Sequence, residues 1–229
     1  MNTEEIRAYL FRQYQEFLEP ISRLSTSTKG KILVSDHREL FNFDKISEKI
    51  YSSKKPSSAD SIYISENEVI LIEFKSGFKK VITKNNFDIS KIACPDDSAR
   101  PCYDYAKLLF QKQKCESREL LDSIRLKAIE SYITLEKEIL PFCSDSYGLL
   151  KKRKFIFCAV VDDYIDSMED TLNELSGKSS DNNTITSIKN ALSRLILHKN
   201  YYYTEIKVFS PYEFIQYLNE IYFDSPYHH

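Results

Sequence analysis

Two short apolar runs, Ser61-Ile62-Tyr63-Ile64-Ser65 and Val69-Ile70-Leu71-Ile72, stand on either side of the polar pair Glu66-Asn67. Runs of this length and β-branched content read as strands, and a two-residue link between them reads as a hairpin. A hairpin with a symmetric loop fixes which residues oppose each other, because facing positions must share one numerical sum. Asp60, just before the first run, then falls opposite Glu73, just after the second. Side chains alternate along a strand, so Asp60, Ile62 and Ile64 share one face with Val69, Leu71, Glu73 and Lys75. That face is apolar near the turn and charged at its far end. The register is conditional on the loop: a three-residue loop with a bulge shifts it by one, and Glu-Asn is not a favoured type I′ pair.

Directly opposed side chains have Cβ atoms roughly 4.5–5.5 Å apart, and like charges placed so cost up to about 1 kcal/mol. A hard divalent cation would offset that repulsion. Mg²⁺ takes carboxylate oxygens and fills its remaining positions with water and substrate phosphate. Lys75 would project beside it. Read alone, the triplet Glu73-Phe74-Lys75 fits equally well a solvated ion pair at a strand edge, worth about 0–1 kcal/mol. The facing Asp60 and the apolar run leading into Glu73 favour a built site.

The remaining sequence narrows the class. The 229 residues, with a net charge of -2, suit one large or two small globular domains. Only 4 glycines are present and no Gly-rich phosphate loop occurs. No run of about 18 apolar residues and no secretory pattern is seen, so a cytoplasmic protein that does not enter the membrane is expected. The 5 cysteines show no CxxC spacing, which fits free buried thiols better than a zinc or iron–sulfur site.

Apolar periodicity predicts an amphipathic helix from Thr3 to about Ser22, a short strand at Lys31–Val34 and a helix from Arg38 to Tyr51 after a Ser35-Asp36 cap. After the hairpin come a mostly irregular stretch to Pro101, a helix from about Tyr103 to Lys114 and a longer one from Arg118 to Leu140, stopped by Pro141. A buried strand is expected at Phe155–Val161, short helices at Asp166–Ser176 and Ile188–Leu197, a last strand at Tyr202–Phe209 and a terminal helix at Pro211–Tyr222. The order implies a mixed sheet flanked by helices. Tyr201-Tyr202-Tyr203 could stack on bases, but tyrosines entering a strand fit a core or interface better.

The set Pro56, Asp60 and Glu73-Phe74-Lys75 on a hairpin, followed by helix and strand, resembles the PD-(D/E)XK nuclease superfamily over roughly Leu40 to Val161. Ala59 stands where that family often has proline. The resemblance implies an α/β fold with a restriction-endonuclease-like mixed central sheet flanked by helices. It implies a single nuclease-like domain over 1–229, with a helical N-terminal segment to about 50 and a core from about 51 to 215. It further implies a Mg²⁺-dependent nuclease, with Mn²⁺ able to substitute, acting on nucleic acid, DNA ahead of RNA. Asp60, Glu73 and the backbone carbonyl of Phe74 would bind the metal, and Lys75 would orient or activate the attacking water. For the family's additional helical acid, Glu48 is preferred over Glu39 and Glu16. Lys79, Lys80, Lys127 and Lys152 are candidates for contact with nucleic acid, Lys127 and Glu130 because related nucleases place auxiliary polar residues on the following helix. A homodimer or a partner protein could complete the site. The competing expectation is a nuclease-like module without catalysis that binds nucleic acid or protein, which the slightly acidic charge favours.

Overall fold

Strand alternation sorts the central residues onto two faces, and the fold is the covering of both. The computed structural model describes residues 3–76, 118–143, 154–162, 192 and 202–222. It is a mixed α/β structure built on a six-stranded sheet flanked by helices. The strands are β1 (Leu18–Pro20), β2 (Glu39–Asn42), β3 (Ser61–Ile64), β4 (Glu68–Lys75), β5 (Lys154–Val161) and β6 (Glu205–Phe209). They lie side by side in sequence order. β1 to β4 pair antiparallel, while β5 and β6 continue the sheet parallel to β4.

The helices are α1 (Thr3–Tyr14), α2 (Ile21–Leu24), α3 (Phe43–Ile50), α4 (residues 118–134) and α5 (Pro211–Tyr222). A parallel return needs a long crossover, and α4 lies in the one joining β4 to β5. Past its α-helical part, α4 runs on through a π turn at Leu135–Ile139 and a 3₁₀ turn at Leu140–Phe142 that takes in Pro141. One face of the sheet, with Ile62, Ile64, Val69, Leu71, Phe157 and Ala159, packs against Ile6 and Leu10 of α1 and Ile124 and Ala128 of α4. The other, with Tyr63, Ile70, Ile72, Phe74 and Cys158, packs against Ile21 of α2 and Phe214 and Leu218 of α5. Every residue of β5 after Lys154 is buried, as a parallel strand covered on both sides requires. Among the described residues no helix is long and apolar enough to cross a membrane.

The hairpin has the register expected of a two-residue loop. Ser61 faces Ile72 and Ile64 faces Val69, and the Ser65 N–H donates to the Glu68 carbonyl at 2.9 Å, which leaves Glu66 and Asn67 as the turn. The strand at β5 and the helix at α5 also match their expected places. α5 begins with a capping box, Ser210 Oγ accepting from the Glu213 N–H while Glu213 accepts from the Ser210 N–H, and Pro211 occupies the first turn.

The N-terminal third departs from expectation. The first helix stops at Tyr14, and Leu18–Pro20 forms an edge strand where helix was expected. Leu40 and Phe41 belong to β2, so the helix expected from Arg38 starts only at Phe43. Its cap is Asn42, whose side chain accepts from the Lys45 N–H at 2.9 Å, and not Ser35-Asp36. Leu40 and Phe41 point to opposite faces and are buried in different cores, which a strand permits. The first 50 residues supply β1 and β2 of the sheet beside the helices α1, α2 and α3. Lys31–Val34 is not a strand; Ile32 makes only an isolated bridge to Thr26. The last strand begins at Glu205, three positions later than expected. The helices expected at Tyr103–Lys114 and Asp166–Ser176 lie outside the described residues, as does Ile188–Leu197 apart from Leu192.

Candidate active site

The register that pairs Ser61 with Ile72 brings Asp60 opposite Glu73 one step further on, where the β3 ladder ends. Asp60 is anchored on both sides. Its carbonyl accepts the first helical N–H of α3, from Phe43, at 3.1 Å, and its carboxylate Oδ2 accepts the Phe74 N–H at 2.7 Å. The Lys75 carbonyl points the other way, accepting from the Asp162 N–H of the β5 side at 3.3 Å. Peptide groups alternate along a strand, so the Phe74 carbonyl lies with its N–H on the Asp60 side.

Among the described residues four charged groups meet here. Lys127 Nζ donates to both oxygens of Glu73, at 2.8 and 2.9 Å, and to Asp60 Oδ1 at 3.3 Å. Lys75 Nζ is 3.3 Å from Glu73 Oε1. The Glu73 side chain is fully buried, whereas those of Asp60, Lys127 and Lys75 are each about 25% exposed. Glu73 therefore forms the floor of a cluster whose other three members reach a mouth.

Burial and, after it, the nearby Asp60 carboxylate push the Glu73 carboxyl up to about 7, although Lys127 and Lys75 pull it back. A simple ion pair would move it down, so the sign says that desolvation and like charge outweigh the two ammonium groups. For Lys127 burial acts to lower the pKa, yet Glu73 and Asp60 together raise it, which keeps this amine charged.

Helix α4 sets the position of Lys127 and of the strand it meets. Lys127, Glu130 and Ser131 share a helical face. Glu130 accepts the Ser57 N–H, Ser131 Oγ accepts the Ala59 N–H at 2.7 Å and Lys127 reaches Asp60. From the other side the buried Tyr203 hydroxyl donates to the Ala128 carbonyl at 2.5 Å. Tyr203 is thus a core residue that ties α4 to the sheet.

Of the residues singled out from the sequence, Asp60, Glu73, Lys75 and the Phe74 backbone come together. Glu48 is placed otherwise: on α3 it is largely exposed and paired with Lys55 at 3.1 Å. Glu16 pairs with Lys49, and Glu39 is an exposed residue of β2. Lys127, expected as a contact for nucleic acid, instead holds both carboxylates. Lys79, Lys80 and Lys152 lie outside the described residues. The part played by Ser131 was not anticipated. Its signal in the sequence is a polar i, i+4 pair, Lys127 and Ser131, beside the buried stripe Ile124, Ala128 and Leu135.

Among the described residues no three His, Cys, Asp or Glu side chains form a metal-binding group. The donors present are two carboxylates and a backbone carbonyl, all hard oxygens. They fit a cation such as Mg²⁺ that draws its other ligands from water and phosphate. A cation already bridges the two carboxylates in the form of the Lys127 ammonium, which marks that point as one where positive charge is stabilised. No protein-family model, no curated protein and no solved structure matches the chain.

Proposed function

We propose that the chain is a metal-dependent nuclease of PD-(D/E)XK type on a restriction-endonuclease-like sheet, hydrolysing phosphodiester bonds, in DNA ahead of RNA. The observation that carries this reading is the opposition of Asp60 and Glu73 at the end of the β3–β4 hairpin, with Lys75 on the same face. The reaction joins a water oxygen to phosphorus and breaks the bond from phosphorus to a sugar oxygen. Negative charge grows on the phosphoryl and leaving oxygens, so the site must supply positive charge and a held water.

Asp60 and Glu73, with the Phe74 carbonyl, would hold Mg²⁺ or Mn²⁺. Such an ion polarises phosphoryl oxygens and lowers the pKa of water. The chain supplies the rest. Lys75, anchored on Glu73 at 3.3 Å, has an ammonium near the mouth that would orient the attacking water and offset charge on the phosphate. Asp60 is aimed by the Phe74 N–H, so the two acids are oriented by the strand pair itself and not by loose rotamers. Burial of Glu73 excludes water from the floor, which confines exchange to the mouth. With a net charge of -2, contact with phosphate would be local, through lysines such as Lys79, Lys80 and Lys152, or aided by a second subunit or partner.

The test is cleavage of plasmid and single-stranded substrates with Mg²⁺ or Mn²⁺ by the wild type, Asp60→Ala and Lys75→Ala. Activity in the wild type that both substitutions abolish supports the assignment, and equal activity in all three removes it.

A second reading, a non-catalytic module binding nucleic acid or protein, draws on the Lys127 contacts. Two carboxylates and two ammonium groups balance one another without an added ion. Calorimetric titration with Mn²⁺ separates the two readings, since the module would show no heat that depends on Asp60 and Glu73.

A further inference from the structure

Lys127 stands where a shared cation would stand. It contacts both Glu73 oxygens almost equally and reaches Asp60 as well, whereas Lys75 lies farther off, 3.3 Å from Glu73 Oε1. Resting on the metal-dependent reading above, we propose that Lys127 is a tethered counter-ion of this site: its ammonium holds the two carboxylates together without metal, gives way when a divalent cation enters, and then serves the phosphate at the mouth as a positioning residue.

The frame around Lys127 makes such an exchange a movement of one side chain. Ser131 on Ala59, Glu130 on Ser57 and Tyr203 on the Ala128 carbonyl fasten α4 over the turn that follows residue 127, which holds the helix in place. The lysine side chain can move by itself, because four rotatable bonds carry its ammonium and about a quarter of it already faces solvent. Glu73 has no such freedom at the buried floor. The carboxylates therefore keep their places while a charge of one is exchanged for a charge of two, and the released ammonium stays within a side-chain length of the mouth. A phosphodiester arriving there carries the negative charge that this ammonium has lost.

Competition of this kind has a measurable sign. Removing the tethered charge should tighten metal binding, about tenfold for a competing contact of ordinary strength. It should also destabilise the metal-free protein, which would retain two opposed carboxylates with, among the described residues, Lys75 as the ammonium group beside them. Bound metal should then restore stability by more in the variant than in the wild type. A residue that merely supported the fold would weaken metal binding when removed.

The experiment is Mn²⁺ titration of the full chain by calorimetry, with melting curves with and without Mn²⁺, for the wild type, Lys127→Met, Lys127→Arg and Asp60→Asn. The expected result is tighter binding and a larger Mn²⁺-induced rise in melting temperature for Lys127→Met than for either the wild type or Lys127→Arg, which keeps the positive charge, and loss of binding for Asp60→Asn. Binding only in Lys127→Met also supports the counter-ion, while turning the main reading towards a non-catalytic module. Unchanged or weaker binding in Lys127→Met beside binding in the wild type overturns the counter-ion and leaves the nuclease reading standing. Absence of binding in both the wild type and Lys127→Met overturns both. Should Lys127→Met fail to fold, Lys127→Gln takes its place under the same criteria.

Discussion

The carboxylate of Asp60 accepts the backbone N–H of Phe74 at 2.7 Å, so the first acid is held by the peptide that follows the second acid, Glu73. Replacing Asp60 by Ala removes the acceptor and leaves a strand N–H without its partner, at a cost of about 1–3 kcal/mol. Asp60→Asn keeps a side-chain carbonyl and should cost less. Urea midpoints should fall in the order wild type, Asn, Ala, whereas Mn²⁺-dependent activity should be lost in both variants, which separates the structural from the chemical contribution of this side chain.

Ser131 and Ala59 are both fully buried, and the Ala59 N–H has the Ser131 hydroxyl as its acceptor. Ser131→Ala is expected to cost about 1–3 kcal/mol for an orphaned buried donor, visible as a lower denaturation midpoint. Since the same helical face carries Lys127, it should also lower activity without removing any group that touches metal or substrate. Loss of stability with unchanged activity would show that α4 does not position the site.

Glu73 gives the fold a pH dependence of definite sign. Its carboxyl is raised from 4.5 to about 7, first by burial and then by Asp60, so the folded state holds a proton that the unfolded chain releases. The resulting stabilisation is fully present below about 4.5 and is lost as pH rises through about 7. Lys127, raised by Glu73 and Asp60 against the effect of burial, stays charged throughout that window. Between pH 5 and pH 8 the wild type should therefore lose stability relative to Glu73→Gln, measured as the difference in urea midpoints. Parallel pH profiles for the two proteins would contradict the raised value.

Cys158 is fully buried, and burial pushes its thiol well above the ordinary range; Cys143, also buried, is pushed up to about 11, by burial first and by Glu5 second. Neither should react with iodoacetamide at pH 8 in the native protein, and both should react after unfolding. Peptide mapping by mass spectrometry reads each position separately, and rapid native alkylation of Cys158 would contradict the packing of β5 against α5.

The hairpin was legible because period-two alternation and a two-residue loop determine its register with no reference to the rest of the chain. The same holds for β5, whose unbroken apolar run suits a strand covered on both faces, and for α5 with Pro211 in its first turn. The N-terminal elements were not legible for a physical reason. Leu40 and Phe41 satisfy a helical pattern as readily as a strand, and only pairing with β1 and β3, distant in sequence, selects the strand. Within the site, Asp60 and Glu73 were found from local spacing. The contacts of Lys127 were not, because they span 54 and 67 positions and depend on how α4 docks. Glu48 was chosen for lying on a helix before the hairpin, but α3 turns it to solvent and to Lys55.

The central claim is that Asp60, Glu73 and Lys75 form a hydrolytic centre with distinct roles, two acids for the metal and one amine for the water. The measurement that tests it most directly is the single-turnover rate of DNA cleavage at saturating Mn²⁺, taken with Mn²⁺ affinity, for the wild type, Glu73→Gln and Lys75→Ala. The account predicts cleavage by the wild type, loss of both metal binding and cleavage in Glu73→Gln, and near-normal metal binding in Lys75→Ala with a rate reduced by about 10²-fold or more. Cleavage by Lys75→Ala at the wild-type rate, or the absence of Mn²⁺-dependent cleavage in the wild type, would contradict it.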